Sequence, residues 1–320
     1  MNDPLFIFWG VYVLIAGLCI GSFLNVVALR AFSQESIVLP PSKCPKCNNK
    51  LKWYHNIPVL SYLFLRGKCA FCKCKISPQY PIVELTNGIL YLASYIIFGA
   101  SLKTIFACIF ISYLIVMSIT DIKEQVVFDK HIYSFIAVMY ISTLFNVNNI
   151  NWWQGLIAIA IAFIVFEIMA RIGYLFANSR AFGEGDTYIA MGISAFLGWQ
   201  MLFINIALAI IIQAMVAIPI YFKKSLDNKN YKLCGAILTA TIVVIFTALT
   251  KNYLPDLSLW ALILYFAIIF IPIIASVIII LGSIKDKKEE ELMTFPFGPA
   301  LAISALIILF AQDYISNLLI

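Results

Sequence analysis

Ten stretches of this chain are apolar enough to lie in a lipid bilayer, and that feature decides the fold class before any motif is considered. At roughly 20 residues per crossing, the runs fall at about 5–29, 83–100, 102–120, 131–146, 154–177, 187–198, 201–222, 233–250, 258–281 and 299–319. The fourth and sixth are short, so eight or nine crossings remain if they re-enter or merge. Hydrophobic residues make up 62% of the 320 and charged residues 12%, against about 45–50% and 25% in a soluble domain. No soluble segment is large enough to build its own core. The expected fold is an all-α polytopic membrane protein of about 8–10 transmembrane helices. The first apolar run, Leu5 to Leu29, is too long for a signal-peptide core and follows no basic segment, so it reads as a retained span.

Charge orients the spans. The net charge of +6 does not point to nucleic acid, because the positive residues cluster between apolar runs, as membrane topology requires. The loop 30–80 carries nine Lys/Arg against one acid, Glu35, which makes it cytoplasmic and places the N-terminus outside. Alternation then puts 121–130, 178–186, 223–232 and 282–298 inside as well. The outside loops keep only Lys103 and Lys251, and Trp152, Trp153 and Trp199 fall near outer ends, where an aromatic belt belongs.

Two acids sit at the edges of apolar runs on that same inner side. Asp121 ends the run from Ile105 to Ile119. Asp186 closes Phe182-Gly-Glu-Gly-Asp-Thr187 and precedes the run from Tyr188 to Leu197. An acid at the edge of hydrocarbon is costly and is a functional candidate by default. Two that meet would form a shared-proton dyad, since neighbouring carboxylates cannot both ionise cheaply. Simpler readings stand beside this one. Asp186 has the sequence context of a helix N-cap, and Lys123 near Asp121 suits a solvated boundary. Gly183 and Gly185, flanking Glu184, lack side chains and would let a substrate backbone approach Asp186. Within the first span, Gly17 and Gly21 have the spacing of a close helix–helix contact.

The loop between the first two spans holds Cys44-Pro-Lys-Cys47 and, after 21 residues, Cys69-Ala-Phe-Cys72. Two C-x2-C knuckles in one loop are a strong zinc signal. Each knuckle covers one edge of a tetrahedron, and four thiolates close a structural Zn2+ site with no open position. Two disulfides are the alternative, disfavoured in a cytoplasmic loop. Cys74 is a fifth thiol whose spacing fits neither knuckle, and His55 serves as a ligand only if a cysteine is displaced.

These residues, with others spread along the chain, resemble the type IV prepilin peptidases, also called prepilin leader peptidase/N-methyltransferases, within the G-x-G-D aspartyl membrane peptidases. The resemblance includes Gly21-Ser-Phe-Leu-Asn-Val-Val27 with Arg30, and the knuckle loop with Asn56-Ile-Pro58, Ser61-Tyr62 and Leu65-Arg-Gly-Lys-Cys69. It continues through Ile76-Ser-Pro-Gln-Tyr-Pro-Ile-Val-Glu84, Asp121, Gly183-Glu-Gly-Asp186 and Phe295-Pro-Phe-Gly-Pro299. The region 222–290 carries none of these motifs, and Phe128 precedes Asp129 where the family commonly has proline.

The resemblance implies cleavage of the basic leader of type IV prepilin or pseudopilin precursors at the cytoplasmic face of the bacterial inner membrane. Asp121 and Asp186 would be the catalytic pair, and the new N-terminus would then be methylated from S-adenosylmethionine. It ties methyl transfer to the cysteine loop and to Gly67 and Lys68, although these two residues by themselves read as a turn before Cys69. The expected organisation is a first span over 1–30, a cysteine region over 31–82 and a multi-span peptidase domain over 83–320, with precursors and membrane lipid as partners. The rival expectation is a non-enzymatic membrane scaffold with a structural zinc site.

Overall fold

The computed structural model describes residues 4–33, 36, 41–177, 183–227, 231, 235, 238–239 and 296–319, and these are helical or connecting segments with no extended sheet. The expected run at 258–281 and, apart from 235 and 238–239, that at 233–250 lie outside the described residues, as do Phe182 and Phe295 of the quoted motifs. Each of the other eight apolar runs is a helix: α1 (Pro4–Ser33), α3 (Gln79–Phe98), α4 (Leu102–Glu124), α5 (Asp129–Leu144), α6 (Trp152–Ala177), α7 (Glu184–Leu197), α8 (Trp199–Asp227) and α9 (Gly298–Leu319). A five-residue helix, α2 (Leu60–Phe64), lies in the cysteine region.

Among the described residues, α1, α3, α4, α6 and α8 are long and apolar enough to cross a membrane, whereas α5 and α7 have 16 and 14 residues. The two runs noted as short are therefore short helices, ended by local signals. Gly198 takes φ +94° at the close of α7, and Phe145 and Asn146 turn the chain after α5.

The chain divides into two compact units, one built from 1–167, 183–209 and 296–320, the other from 168–182 and 210–295. In the first, α4 is the central helix, packed by α1, α3, α5 and α9, and α7 packs on α5 and α9. Its core is aromatic. Phe110 of α4 lies 4.8 Å from Phe196 of α7 and 5.8 Å from Phe135 of α5, ring centre to ring centre. Gly192 leaves the space that the Phe135 ring occupies. In the second unit, the described helical segments include the C-terminal parts of α6 and α8, the latter holding Pro219.

Small residues bring α1 and α3 together, as the Gly17/Gly21 spacing predicts. A Cβ on Gly17 would stand 2.9 Å from Gly88 Cα, and one on Gly21 would stand 2.8 Å from Glu84 Cα. Such close backbones need polar side chains that bond across the seam. Asn87 Nδ2 donates to the Gly17 carbonyl at 2.7 Å, and Asn25 Nδ2 to the Tyr80 carbonyl at 3.4 Å. The outward faces stay apolar: Leu5, Phe8, Tyr12, Ile82, Ile89 and Ile105 are exposed, as helices facing lipid require.

Candidate active site and metal centre

Asp121 lies in the last turn of α4, which runs on to Glu124 and closes on Gln125 in the left-handed conformation. The side chain is 6% exposed, so Asp121 is not the solvated boundary residue that Lys123 made conceivable. Its Oδ2 accepts the Gly298 N–H at 3.0 Å, across 177 residues of sequence. Gly298 opens α9, so its amide is one of the unpaired donors at a helix start, where a carboxylate is favoured. A Cβ on Gly298 would lie 2.5 Å from Asp121 Oδ2. The residue type at 298 is therefore dictated by the acid above it.

Asp186 is in the first turn of α7. It is not the N-cap; Gly183 is, and Asp186 reaches back three residues so that its Oδ2 accepts the Gly183 N–H at 3.1 Å. This is the acidic half of a capping box. Ile189, three residues beyond Asp186 on α7, also meets a Cβ built on Gly298, at 3.4 Å, so α4 and α7 both pack on the start of α9. Gly185 does not present an open backbone. Val127, from the α4–α5 connection, fills the place of its side chain, with Cγ2 3.0 Å from a Cβ built there. Gly183 does stay open, its nearest neighbour being Asp186 Oδ2 at 3.5 Å. Glu184 is exposed beside it, as are Glu124 and Asp129.

Sequence reasoning noted Pro296-Phe-Gly-Pro299 as a motif without a task. The available signal was a Gly-Pro pair at a helix start, after a gap too long to say which residue it meets.

The four cysteines gather as their spacing predicts. The Sγ atoms of Cys44, Cys47, Cys69 and Cys72 lie within 4.8 Å of one another, and Cys44 and Cys72 are 3.9 Å apart. Four sulfurs at about 2.3 Å from a tetrahedral zinc stand about 3.8 Å apart, so this set fits the ion. The two knuckles are copies of one turn. Asn48 donates to the Cys44 carbonyl and Lys73 to the Cys69 carbonyl, both at positive φ, and pairing closes each turn, Lys43 with Lys50 and Lys68 with Lys75.

The turn aims backbone N–H groups at sulfur. The Cys47 amide, foremost, lowers the Cys44 thiol to about 6, and the Cys74 amide lowers Cys72. Cys47 has the Asn49 amide in its favour, yet burial and the neighbouring sulfurs push it up to about 11. Four adjacent thiolates need a dication. Cys74 corresponds to Asn49 in the other knuckle. It lies 3.7 Å from Cys44 Sγ, which its spacing did not suggest, and Cys72, then burial, pushes it to about 12.

Gly67 (φ +66°) and Lys68 form the turn after α2, in line with the simpler reading. Neither lines the adjoining cavity, but a Cβ on Gly67 would stand 3.0 Å from the Tyr62 hydroxyl, and Tyr62 does line it.

Comparison with known proteins bears on this arrangement. Residues 15–98 match the model of the bacterial peptidase A24 N-terminal domain, and residues 108–218 match that of the type IV leader peptidase family. A prepilin leader peptidase/N-methyltransferase of Myxococcus xanthus is 31% identical over 99% of this chain and 93% of its own length. The chain belongs to the type IV leader peptidase family. Other members are less fully covered. The prepilin leader peptidase/N-methyltransferase of Bacillus subtilis is 33% identical over 63% of this chain and 79% of its own length. That of Neisseria gonorrhoeae is 28% identical over 73% and 88%. The Myxococcus match spans almost the whole chain, so it takes in region 222–290, where no family motif stands. No solved structure matches the chain.

Proposed function

We propose that this chain is a bifunctional processing enzyme of the inner membrane. It cuts the basic leader from type IV prepilin or pseudopilin precursors at the cytoplasmic face and then methylates the new N-terminal amine. What supports the peptidase half is two carboxylates, Asp121 and Asp186, each held by a backbone N–H on helices that pack on α9, in a family of leader peptidases.

Peptide hydrolysis needs a base for water and an acid for the carbonyl oxygen, and two carboxylates sharing one proton supply both. The ionised member takes a proton from water as the water oxygen bonds to the scissile carbon. The protonated member gives its proton to the carbonyl oxygen. A proton then passes to the amide nitrogen, the C–N bond breaks, and the pair returns to its starting state. The helix-start amide of Gly298 holds Asp121 in line without adding a charge. The open side of Gly183 is where the substrate backbone passes. Glu124, Asp129 and Glu184 face the basic leader, offsetting an otherwise cationic surface. Reversing all three charges is expected to slow cleavage of a Lys/Arg-rich leader more than that of a neutral one; equal rates would remove this role.

Zn2+, held by Cys44, Cys47, Cys69 and Cys72, is structural in this reading. S-adenosylmethionine, when bound, supplies the methyl group. The chain's residues bind it and hold the acceptor amine beside it.

The deciding experiment is precursor cleavage in membranes by wild type, Asp121→Asn and Asp186→Asn. Asparagine keeps the acceptor for each backbone N–H but cannot share a proton. Each variant should lose about 10²–10⁴-fold in rate while accumulating normally. Normal cleavage by either would remove that acid from the proposed chemistry.

A further inference from the structure

A cavity of about 560 Å³ opens between the C-terminal half of α1, the two knuckles and the start of α3, a size suited to a cofactor. Its lining is mixed in a specific way. Arg30, Lys43, Lys46 and Lys75 bring positive charge, and Tyr62 and Tyr80 bring ring faces. One acid, Glu84, also lines it, 6% exposed. Among the described residues, its bonded partner is the Val59 N–H, which donates to Oε2 at 2.7 Å.

A buried carboxylate with one neutral donor and no cation is costly. The donor residue is itself strained. Val59 takes φ 62°, a conformation that β-branched residues avoid. Strain held in place beside a buried charge is characteristic of a ligand site.

We propose that this cavity binds the methyl donor, with the Glu84 carboxylate facing its sulfonium and the basic residues facing its amino-acid carboxylate. The inference rests on the methyl-transfer reading above and gives it a location. S-adenosylmethionine carries a fixed positive sulfur, a carboxylate and a flat base, and the lining offers an anion, several cations and two rings. A ligand carrying only phosphate would set its charge against Glu84. Gly67 acts here as a positioning residue, giving the Tyr62 ring room to turn toward the cavity. The zinc cluster acts at one remove, since Cys44 and Cys69 are part of the wall. The location also suits the order of reactions. Leu24 and Ala28 of α1, Val83 of α3 and Val116 and Ile119 of α4 form one buried cluster. Glu84 follows Val83, and Asp121 lies two residues beyond Ile119. The amine released at the dyad therefore appears at the same end of the same three helices.

The test is calorimetric binding of S-adenosylmethionine and of S-adenosylhomocysteine, its uncharged thioether product, to the purified full chain in detergent. Two variants are compared, with zinc content as the check on folding. Glu84→Gln keeps an acceptor for Val59 but loses the charge. It should weaken S-adenosylmethionine binding about tenfold more than S-adenosylhomocysteine binding. Ser61→Trp, which fills the cavity from α2, should abolish binding of both. Wild-type affinity in both variants overturns the pocket, and equal weakening of the two ligands by Glu84→Gln overturns the role given to Glu84. A wild-type chain that binds neither ligand overturns the methyl-transfer reading itself.

Discussion

Gly298→Ala is the smallest change that tests how the peptidase site is built. Gly298 does not sit at positive φ, and alanine is the better helix former, so the substitution carries no backbone penalty. Its Cβ would lie 2.5 Å from Asp121 Oδ2, and ordinary contact begins at 3.4 Å, so the carboxylate must retreat by about 0.9 Å. In doing so it stretches the 3.0 Å bond from the Gly298 amide. A catalytic group misplaced by about 1 Å costs on the order of 10²-fold, or about 2.7 kcal/mol in the barrier. The assay is cleavage of a precursor-derived peptide by enzyme in detergent micelles, with Gly10→Ala as the control. A Cβ at position 10 meets Leu92 at an ordinary 3.5 Å, so the control should cleave at the wild-type rate. The loss in Gly298→Ala should fall on kcat, with zinc content and S-adenosylhomocysteine binding unchanged. Cleavage within about threefold of wild type would refute the claim that the α9 start sets the position of Asp121.

Two further outcomes are expected. Stripping zinc with a strong chelator should abolish S-adenosylhomocysteine binding, because the knuckles wall the cavity and a metal-closed turn unfolds without its ion; unchanged binding in metal-free protein would separate the knuckles from the cofactor. Gly17→Ala brings a Cβ within 2.9 Å of the Gly88 backbone, and overpacking of this kind costs about 1–3 kcal/mol; a Tm equal to wild type would mean that the α1–α3 seam yields freely.

Much of this protein is written locally. Hydrocarbon demands apolar runs of a set length, so eight of the ten runs can be matched to helices along the chain, including the two too short to span alone. The knuckles are equally local. Each is a closed turn, Lys43 to Lys50 and Lys68 to Lys75, and Cys-x-x-Cys spacing implies its shape before any packing. The pairing of two knuckles into one four-sulfur cluster was also legible, because a thiolate set without a cation is unstable and the loop offers one other pair. Cys74 shows the limit of that reasoning. Spacing excluded it from both knuckles, yet the fold places its sulfur 3.7 Å from Cys44.

The two acids were legible as residues at a membrane edge, since cost alone marks them. What no local rule supplied is what holds them. Asp186 looked like an N-cap and is a third-position acid bonded to Gly183. Gly185 looked like an opening and is filled by Val127. Asp121 takes its partner from a helix that begins 177 residues later.

The sequence alone determined the membrane class, the helical runs, the paired cysteine turns and the two acids as candidates at a membrane edge, because each follows from composition or spacing over fewer than about thirty residues. Only the tertiary structure decided that α9 delivers an amide to Asp121, that α4 and α7 both pack on α9, and that α1, α3 and the knuckles line a cavity with Glu84. Those features depend on which helix faces pack together. That choice is made by Gly17, Gly21, Gly88 and Gly192, whose missing side chains carry no chemical signature of their partners.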